Sequence, residues 1–390
     1  MCCANAGGLS KGIKKIMRIL HFFKTYYPDA FGGIQQVIYQ LAEGAVQAGA
    51  HVDVLTLSAK NPKQIYDIAN HKVYTAKQDI YVASTGLSWS AITQFKALAA
   101  QADVIHYHFP WPYMDLVHQL VRPNKPCVVS YHSDIVKQKY LLRLYQPLMM
   151  SFLKKVDAVV AAAPNYVQTS SVLQSFDREI EVIPYGLDEK SYSQPALATL
   201  SKWKTKLPEK FYLFIGFLRY YKGLSYLLEA LKELDYPLVV IGEGPCELEL
   251  KQQAEKLQLK NIHFVGPMPD EDKIALLTLC YAVVFPSHLR SEAFGMTLLE
   301  ASMYGKPMIT CEIGTGTTYI NIHGETGLVA KPAHCDSLRT AMQQLWSDPQ
   351  MAVQMGINAR KRFEENFTAQ VMNQRYMQLY QRVMDGHKNR

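Results

Sequence analysis

Short runs of apolar residues alternate along this chain with longer segments in which apolar positions recur at helical spacing. Such alternation is typical of parallel sheets covered by helices. In the first half, the apolar runs predict strands at Arg18–Phe23, Val52–Leu57, Val104–Tyr107, Val128–Tyr131, Ala158–Ala161 and Ile180–Pro184. In the second half, they predict strands at Tyr212–Gly216, Leu238–Gly242, Ile262–Val265, Ala282–Pro286, Pro307–Thr310 and Gly327–Ala330. The pattern therefore predicts an α/β protein.

Two series of strands of similar length predict two Rossmann-like domains with parallel sheets. The polar stretch between Pro184 and Pro208 is the expected break, so we expect one domain over residues 17–190 and a second over residues 208–369. Residues 1–16 are small, polar and basic, and they lack the apolar segment that a signal peptide needs. We expect them to form a disordered extension.

Composition places the chain among ordinary globular proteins. Of its 390 residues, 48% are hydrophobic and 19% are charged, which is enough to build two cores. The seven cysteines are scattered without metal or redox spacing, apart from the adjacent pair Cys2 and Cys3, and this favours reduced thiols in a cytoplasm. No apolar run approaches the 18 residues of a spanning helix.

Charge is distributed unevenly. Residues 1–207 contain 22 Lys and Arg against 14 Asp and Glu, whereas residues 208–390 contain 19 against 20. The basic half is expected to meet an anionic partner. Nucleic acid is not favoured, since no nucleic-acid motif accompanies the charge. Residues 136–155 carry five basic side chains and no acid among many aliphatic and aromatic ones, which indicates peripheral contact with an anionic membrane. A helix that covers its own sheet is the alternative.

The most informative stretch runs from Ser291 to Glu300, with glutamates at positions 292 and 300 around a Phe-Gly corner. An apolar run follows the corner, so the pattern predicts a loop that turns into a helix. The backbone N–H groups of the first helical turn would lie at Phe294, Gly295, Met296 and Thr297, where an anion binds well. One carboxylate on each side of a bound phosphate would suit the hydroxyls of a nucleotide sugar. The bare pair, without its context, is more often two glutamates on a surface helix.

Two further strand–helix junctions carry residues suited to phosphate. Gly32 and Gly33 precede a helix predicted over Gln35–Gln47, and glycines there let a ligand approach the backbone. A simple turn is the alternative, and the spacing is not a dinucleotide fingerprint. Arg219 and Lys222 follow the first strand of the second half, where two cations suit a diphosphate.

Polar residues at other strand ends are candidates for a cleft. His132 ends one strand and could hydrogen-bond a sugar hydroxyl or stabilise developing charge. His106 and His108 end another; a metal is conceivable, but packing and acceptor contact are preferred because no third ligand is evident. Asp270 and Asp272 form an Asp-x-Asp pair, which holds a divalent ion in some transferases. Acids at a helix start also complement its dipole, and we prefer that interpretation.

Taken together and in order, these motifs resemble glycosyltransferase family 4, whose members are retaining enzymes with the two-domain GT-B fold. The resemblance extends from Met17 over nearly the whole chain and implies two domains that face a cleft. It implies that Glu292 holds the donor sugar, that Glu300 holds the ribose, and that Lys222 and Arg219 neutralise the diphosphate without a metal or other cofactor. The segment from Gly266 to Met268 resembles the one whose backbone faces the nucleobase.

The resemblance also implies that His132 lies near the transferred sugar, and that a last helix in residues 370–390 packs back on the first domain. One position departs from the family pattern: Phe217 stands where the family has an arginine, and Arg219 could supply that charge.

The implied activity is transfer of a hexose from a nucleotide sugar to a saccharide or lipid-linked saccharide, as in bacterial O-antigen or capsule synthesis at the inner face of the cytoplasmic membrane. GDP-mannose is the favoured donor, with UDP-hexoses close behind. A sugar-nucleotide epimerase of the same fold and a non-catalytic sugar-binding or scaffold protein remain alternatives. A pyridoxal-phosphate phosphorylase has no signature in the sequence.

Overall fold

The computed structural model describes residues 16–82, 85–135 and 139–389. Nearly all of the predicted extension at residues 1–16 therefore lies outside the described residues, as does Lys137 of the basic stretch. Within the described ranges the chain forms two separate sheets with helices on both faces of each.

The first sheet has eight strands in the order β10-β9-β8-β7-β1-β2-β4-β3, and a two-stranded hairpin, β5-β6, stands beside it. All pairs in the large sheet are parallel except β3 with β4. The strands are β1 (Arg18–Phe22), β2 (His51–Ser58), β3 (Ile65–Ile68), β4 (His71–Lys77), β5 (Ile80–Val82), β6 (Thr85–Leu87), β7 (Val104–Phe109), β8 (Cys127–Tyr131), β9 (Ala158–Ala161) and β10 (Glu181–Val182).

Four of these strands, β3 to β6, were not predicted. β3 is the edge strand, β4 lies between β2 and β3 with alternating buried and exposed residues, and β5 and β6 form a separate two-stranded sheet. None of them therefore has the continuous apolar run of a strand buried on both faces. The predicted strand Ile180–Pro184 is also too long: only Glu181 and Val182 pair with β9.

The second sheet has six parallel strands in the order β13-β12-β11-β14-β15-β16. Its strands are β11 (Tyr212–Ile215), β12 (Leu238–Ile241), β13 (Ile262–Gly266), β14 (Ala282–Phe285), β15 (Met308–Cys311) and β16 (Gly327–Ala330). All six correspond to predicted strands, with ends that differ by one residue. The central strands are wholly buried, which is why the sequence signal was continuous and strong.

Helices connect the strands. Those of the first half are α1 (Gly33–Gln47), α2 (Trp89–Gln101), α3 (Pro112–Val121), α4 (Lys139–Lys155), α5 (Pro164–Thr169), α6 (Ser171–Gln174) and α7 (Leu197–Lys206). Those of the second half are α8 (Leu224–Leu231), α9 (Glu247–Lys256), α10 (Asp270–Leu279), α11 (Met296–Met303), α12 (Thr317–Ile320), α13 (Cys335–Ser347), α14 (Pro349–Asn366) and α15 (Ala369–Lys388). Short 3₁₀ turns occupy Glu189–Ser191 and Tyr220–Lys222.

The segment expected to be a polar linker contains helix α7, which packs against α10 of the second half. The chain crosses between the halves twice, and the two crossings touch. Leu187 donates its N–H to the Phe367 carbonyl at 2.9 Å and accepts the Ala369 N–H at 2.9 Å. A Cβ on Gly186 would lie 2.3 Å from the Thr368 carbonyl oxygen, so only glycine allows this close approach.

Helix α15 then returns to the first half, packs against α1 and places two tyrosines under the first sheet. Tyr380 and Tyr376 are buried, and their hydroxyls lie 2.7 Å from His106 Nδ1 and Ser130 Oγ, respectively. A buried cluster of apolar residues extends from the first sheet into strands and helices of the second. These contacts hold the two halves together, with a cleft between their sheets.

Candidate active site

Helix α11 begins at the floor of the cleft. Gly295 has a φ of 100°, in the left-handed region, and turns the chain from the loop into Met296, the first helical residue. The preceding Phe294 is buried, and its ring lies 4.7 Å from that of Tyr185 in the crossing segment. Thr297 donates its hydroxyl to the Ile215 carbonyl at 3.3 Å, which holds the helix start against the end of β11. The first N–H groups of α11 therefore lie at the carboxyl end of the sheet, and the predicted turn from loop to helix is present.

Glu292 lies in the loop before this helix and pairs with Lys222. The Lys222 Nζ atom is 2.5 Å from Glu292 Oε2, and each side chain is only 12% exposed. Ser287 adds a longer contact of 3.4 Å to the same oxygen. A Cβ on Gly223 would lie 2.1 Å from the Pro286 carbonyl oxygen, so this glycine lets the Lys222 turn approach the Glu292 loop. Two residues predicted separately thus form one charged pair.

Glu300 lies two turns further along α11 and is 7% exposed. Its Oε1 atom accepts the Tyr192 hydroxyl at 3.0 Å and the Lys273 ammonium at 3.0 Å. Burial lowers the pKa of Lys273, but the facing carboxylates of Glu300 and Asp270 outweigh it, so the pKa is raised and the lysine stays charged. The carboxylate is therefore held in one orientation at the wall of the cleft.

Gly32 and Gly33 face Glu300 and Met296 across a cavity of about 530 Å³. Gly33 begins α1, and a Cβ on it would lie 3.2 Å from Met296 Cγ. The starts of α1 and α11 consequently approach each other from opposite halves of the molecule. Two helix starts that bind the same ligand are expected to approach each other in this way. The distance between them could not be predicted from the sequence.

The Arg219 side chain is exposed, while its backbone carbonyl accepts the Lys222 N–H at 3.0 Å. Its guanidinium carbon stands 5.0 Å from the centre of the Phe217 ring, which is itself 46% exposed. Gly266 ends β13 with a φ of 74°, and Met268 packs partly on the core beyond it. No contact among the described residues joins Arg219, Gly266 or Met268 to Glu292 or Glu300, so their assignments stay predictions.

His132 is 6% exposed, and both its ring nitrogens are already engaged within the protein. Nε2 lies 3.0 Å from His108 Nδ1, and Nδ1 lies 2.5 Å from the Tyr185 hydroxyl. Burial lowers the pKa of His132 to about 3, so the ring is neutral at physiological pH. In this arrangement neither nitrogen is available to a sugar hydroxyl, and a role as a positive charge is disfavoured.

The histidine chain continues inward. His108 Nε2 lies 2.9 Å from His21 Nδ1, and His106 packs beside both rings. His106 and His108 are fully buried, which agrees with the preferred packing role but not with acceptor contact. The expectation that no third ligand is at hand was wrong, because His21 completes a three-histidine group. However, the His106 nitrogens are bonded to Ser130 and Tyr380, and those of His108 to other histidines. Within this three-histidine group, His21 Nε2 is the one ring nitrogen that has no partner among the described residues. Hydrogen bonding within a core therefore describes the group better than metal ligation.

Asp134 and Arg290 join the two halves beside these residues. Arg290 Nη2 lies 3.0 Å from Asp134 Oδ2, while Nη1 donates to Thr169 Oγ1 at 2.6 Å and to the Gly314 carbonyl at 2.8 Å. Asn165 adds a second bridge, to the Thr315 carbonyl at 2.6 Å. The loops that follow β8, β14 and β15 are thereby fixed to one another.

The Asp-x-Asp pair does not form a common site. Asp272 accepts Lys202 Nζ at 2.7 Å and Trp203 Nε1 at 2.6 Å from α7, and the bond to Lys202 lowers its pKa. Asp270 instead pairs with Lys273 at 2.9 Å. Asp272 is thus paired with a lysine of α7 and Asp270 with a lysine of its own helix, so the two acids complete a helix contact and a helix start, as preferred above.

Sequence reasoning missed Tyr192, Lys273, Arg290 and Tyr185. Tyr192, Lys273 and Tyr185 carried no local signal beyond their type, since each reaches the site from a segment distant in sequence. Arg290 alone offered a hint, because it stands two residues before Glu292.

Two family models match the chain: glycosyltransferase family 4 at residues 31–191 and glycosyl transferases group 1 at residues 199–362. D-rhamnosyltransferase WbpZ of Pseudomonas aeruginosa is 55% identical over 90% of this chain and 93% of its own length. O-antigen chain mannosyltransferase C of Escherichia coli is 45% identical over 95% of this chain and 100% of its own.

Solved structures share the fold at lower identity. Sucrose-phosphate synthase of Thermosynechococcus elongatus superposes with a TM-score of 0.78 at 22% identity, over 95% of this chain and 100% of that one. WaaG, a glycosyltransferase involved in lipopolysaccharide biosynthesis, gives 0.65 at 18% identity, over 91% and 98%. Among the described residues, no helix is long and apolar enough to cross a membrane.

Proposed function

This chain belongs to glycosyltransferase family 4 and has the GT-B fold, and from that premise we propose that it moves a hexose from a nucleotide diphosphate sugar to a saccharide with retention of configuration. The enzyme is a glycosyltransferase of polysaccharide synthesis, as its O-antigen relatives are. The observation that carries the proposal is the Lys222–Glu292 pair at the start of α11, with Glu300 two turns away.

The donor fits this arrangement in a simple way. Its diphosphate binds at the N-terminus of α11, where unpaired N–H groups and the helix dipole favour an anion. Lys222 turns from Glu292 towards the phosphate and neutralises charge as the diphosphate leaves. Glu292, freed of its partner, accepts hydroxyls of the transferred sugar and offsets positive charge at the anomeric carbon.

Glu300 binds the ribose hydroxyls. Tyr192 and Lys273 hold its carboxylate through one oxygen, which leaves Oε2 for the ligand. Positive charge for the diphosphate comes from Lys222 and the helix start, with Arg219 as a more distant cation. A divalent ion has no paired carboxylates to hold it here, because Asp270 and Asp272 are bonded to separate lysines. We therefore propose a reaction without a metal.

The proposed role of His132 is to orient rather than to touch the sugar. Its imidazole positions the Tyr185 hydroxyl, and the Tyr185 ring packs at a 60° tilt against Phe294 at the floor of the cleft. His132 thus acts on the donor pocket through another residue.

We favour mannose from GDP-mannose as the donor, because the names of the two relatives above specify mannosyl and rhamnosyl transfer. A UDP-hexose is the second candidate. A thermal-shift screen with GDP, UDP, ADP and dTDP, each with and without EDTA, tests the choice, since a ligand that binds the folded state raises its stability. A rise with GDP alone that EDTA does not change is expected. Stabilisation by UDP alone would replace the donor, and loss of the shift in EDTA would overturn the metal-free reaction.

Turnover separates a transferase from the alternatives. With GDP-mannose and a mannoside acceptor, a transferase releases GDP only when both are present, and carbon–proton coupling at the new anomeric centre reports retention. An epimerase would convert the donor without an acceptor. A scaffold would do neither and would lose no partner binding in Glu292→Ala.

The acceptor is proposed to be lipid-linked, and α3 with α4 offers a surface for the membrane. The side chains of Met149, Phe152 and Leu153 are buried, so one face of α4 does cover its own sheet. The opposite surface exposes aliphatic and basic side chains together: Leu116, Leu120, Leu141, Leu144, Arg143, Lys154 and Lys155. We expect the protein to sediment with vesicles of phosphatidylglycerol but not with vesicles of phosphatidylcholine. If the double variant Leu144→Gln with Lys154→Gln bound phosphatidylglycerol vesicles as well as the unchanged protein does, the proposed membrane surface would be contradicted.

A further inference from the structure

A second groove lies between helices α1 and α15 and has a volume of about 840 Å³. This groove is continuous with the donor cavity, because Tyr39, Gln40 and Ser191 line both of them. Such a volume is within the range of ordinary ligand pockets. Nothing in the proposed transfer reaction uses this groove.

The lining of the groove is dominated by carboxamides. We call it the amide groove and define it by six side chains from the two helices: Gln40, Gln47, Asn373, Gln374, Gln378 and Gln381. On α15, Gln374, Gln378 and Gln381 recur at spacings of four and three, with Gln370 one turn before them, which places these four on one face of the helix. Between positions 370 and 381 this face is ~16 Å long at the usual rise of an α-helix. The groove is thus long enough for more than one sugar ring.

One of these amides, Gln40, is buried without a partner. Gln40 is only 6% exposed, yet no hydrogen bond joins its side chain to any described residue. It lines both the groove and the donor cavity. Buried polar groups are nearly always hydrogen-bonded, because leaving one unpaired costs about 1–3 kcal/mol. An unpaired buried amide that faces a cavity therefore indicates a polar ligand.

The charges around the groove are either balanced or engaged. Glu43 is bonded to His71 and Asn70, at 2.6 Å and 2.7 Å. Asp188 caps its own turn through the Lys190 N–H at 3.1 Å, and Lys190 offsets its charge at the rim. Two carboxylates against one ammonium leave the lining slightly acidic, which does not select a phosphate or a nucleic acid. The polar lining does not select a lipid or an apolar helix either.

We propose that the amide groove binds an uncharged oligosaccharide, namely a stretch of the saccharide chain that this enzyme extends. Each carboxamide donates two hydrogen bonds and accepts two, which matches hydroxyls that both donate and accept. Tyr39, half-buried where the groove meets the donor cavity, offers a flat apolar face for a sugar ring. The proposal rests on the polysaccharide function above, since it identifies the ligand as that enzyme's own product.

The test uses the full chain and an α-linked mannotetraose as the probe, with binding followed through the ¹³C-methyl signal of Met377, which lines the groove. Gln374 and Gln378 are exposed, so replacing both by alanine preserves a helix-favouring surface. We expect the probe to shift the Met377 signal, and the double variant to weaken its Kd at least tenfold. Gln252→Ala, an exposed glutamine on α9 outside the groove, is the matched control and should leave the Kd unchanged.

The outcomes separate this proposal from the donor function. An unshifted Met377 signal, or an equal Kd in the double variant and the control, overturns the amide groove even if transfer to a short acceptor proceeds normally. Tight mannotetraose binding without any nucleotide-dependent transfer would instead overturn the proposed reaction and leave the groove in place. A Met377 shift caused by GDP rather than by mannotetraose would make the groove part of the donor site and contradict the proposal.

Discussion

Asp134 and Arg290 form an ion pair, 3.0 Å between Oδ2 and Nη2, that joins the two halves of the molecule beside the candidate reacting groups. Asp134 stands two residues after His132, and Arg290 two residues before Glu292. The same carboxylate accepts the hydroxyls of Tyr131 and Ser170 through Oδ1, so its position is fixed from its own side. The pair therefore fixes the loop that follows His132 relative to the loop that contains Glu292.

Breaking this pair is expected to reduce turnover more than donor binding. In Arg290→Lys the charge remains, but the bonds to Thr169, Gly314 and Asp134 cannot all form from one ammonium. A small misplacement of the Glu292 loop then lowers kcat by roughly 10- to 100-fold, with a smaller change in the KM for the donor. Steady-state kinetics measure both constants.

Arg339→Lys supplies the control for that comparison, since Arg339 pairs with Asp336 on α13, away from the cleft. Equal kcat values for Arg290→Lys and the unchanged enzyme would show that the interdomain pair does not position Glu292.

Lys222 and Glu292 should respond differently to substitution. Lys222→Ala removes charge from the diphosphate, so both GDP stabilisation in thermal shift and transfer should fall, the latter by about 10²–10³-fold. Glu292→Gln removes the carboxylate that faces the sugar, so transfer should fall similarly while GDP still stabilises the protein. The contrast is read from thermal shift and initial rates on both variants. Loss of GDP binding in Glu292→Gln alone would contradict the assigned roles.

The Tyr185–His132 bond should be visible as a coupling in stability. Tyr185→Phe leaves a buried imidazole nitrogen of His132 unsatisfied, which costs about 1–3 kcal/mol in the free energy of unfolding. His132→Phe removes the other partner. If the hydrogen bond is the source, the double variant loses less than the sum of the single losses, as urea unfolding of all four proteins would measure. Additive losses would show that packing alone is responsible.

The buried histidines make stability depend on pH. Burial lowers the pKa of His21 to about 3, with a smaller effect from His71, and it lowers that of His132 to about 3. In the unfolded chain these groups protonate near 6.5, so their contribution to stability is complete above that pH and is lost as the pH falls towards 3. At pH 5.5 the loss is about 1.4 kcal/mol for each.

Replacing one histidine isolates its share. In His21→Gln the free energy of unfolding should fall less steeply between pH 7.5 and 5.5 than in the unchanged protein, by about half a proton in the mean slope. Urea titrations at four or five pH values give this slope whatever the absolute stability of the variant. An identical slope would mean that His21 titrates with the same pKa in the folded and unfolded protein.

The sequence by itself determined the architecture, both members of the Lys222–Glu292 pair, and Glu300 but not its partner Tyr192. Strands buried on both faces must be apolar throughout, so all twelve predicted strands were found with ends within two residues. The Phe-Gly corner likewise located a loop that turns into a helix, because Gly295 adopts a φ that other residues avoid. These signals come from residues that are neighbours in the sequence, so they can be recognised without the structure.

Only the tertiary structure decided which groups meet. Lys222 reaches Glu292 across 70 residues of sequence, Tyr192 reaches Glu300 across 108, and Arg290 reaches Asp134 across 156. The same applies to His132: the sequence predicted its position at a strand end but not its two buried partners, His108 and Tyr185. Parallel strands gather their carboxyl ends at one edge whatever their order in the chain, so the partners of each side chain follow from strand order and helix packing, which periodicity does not encode.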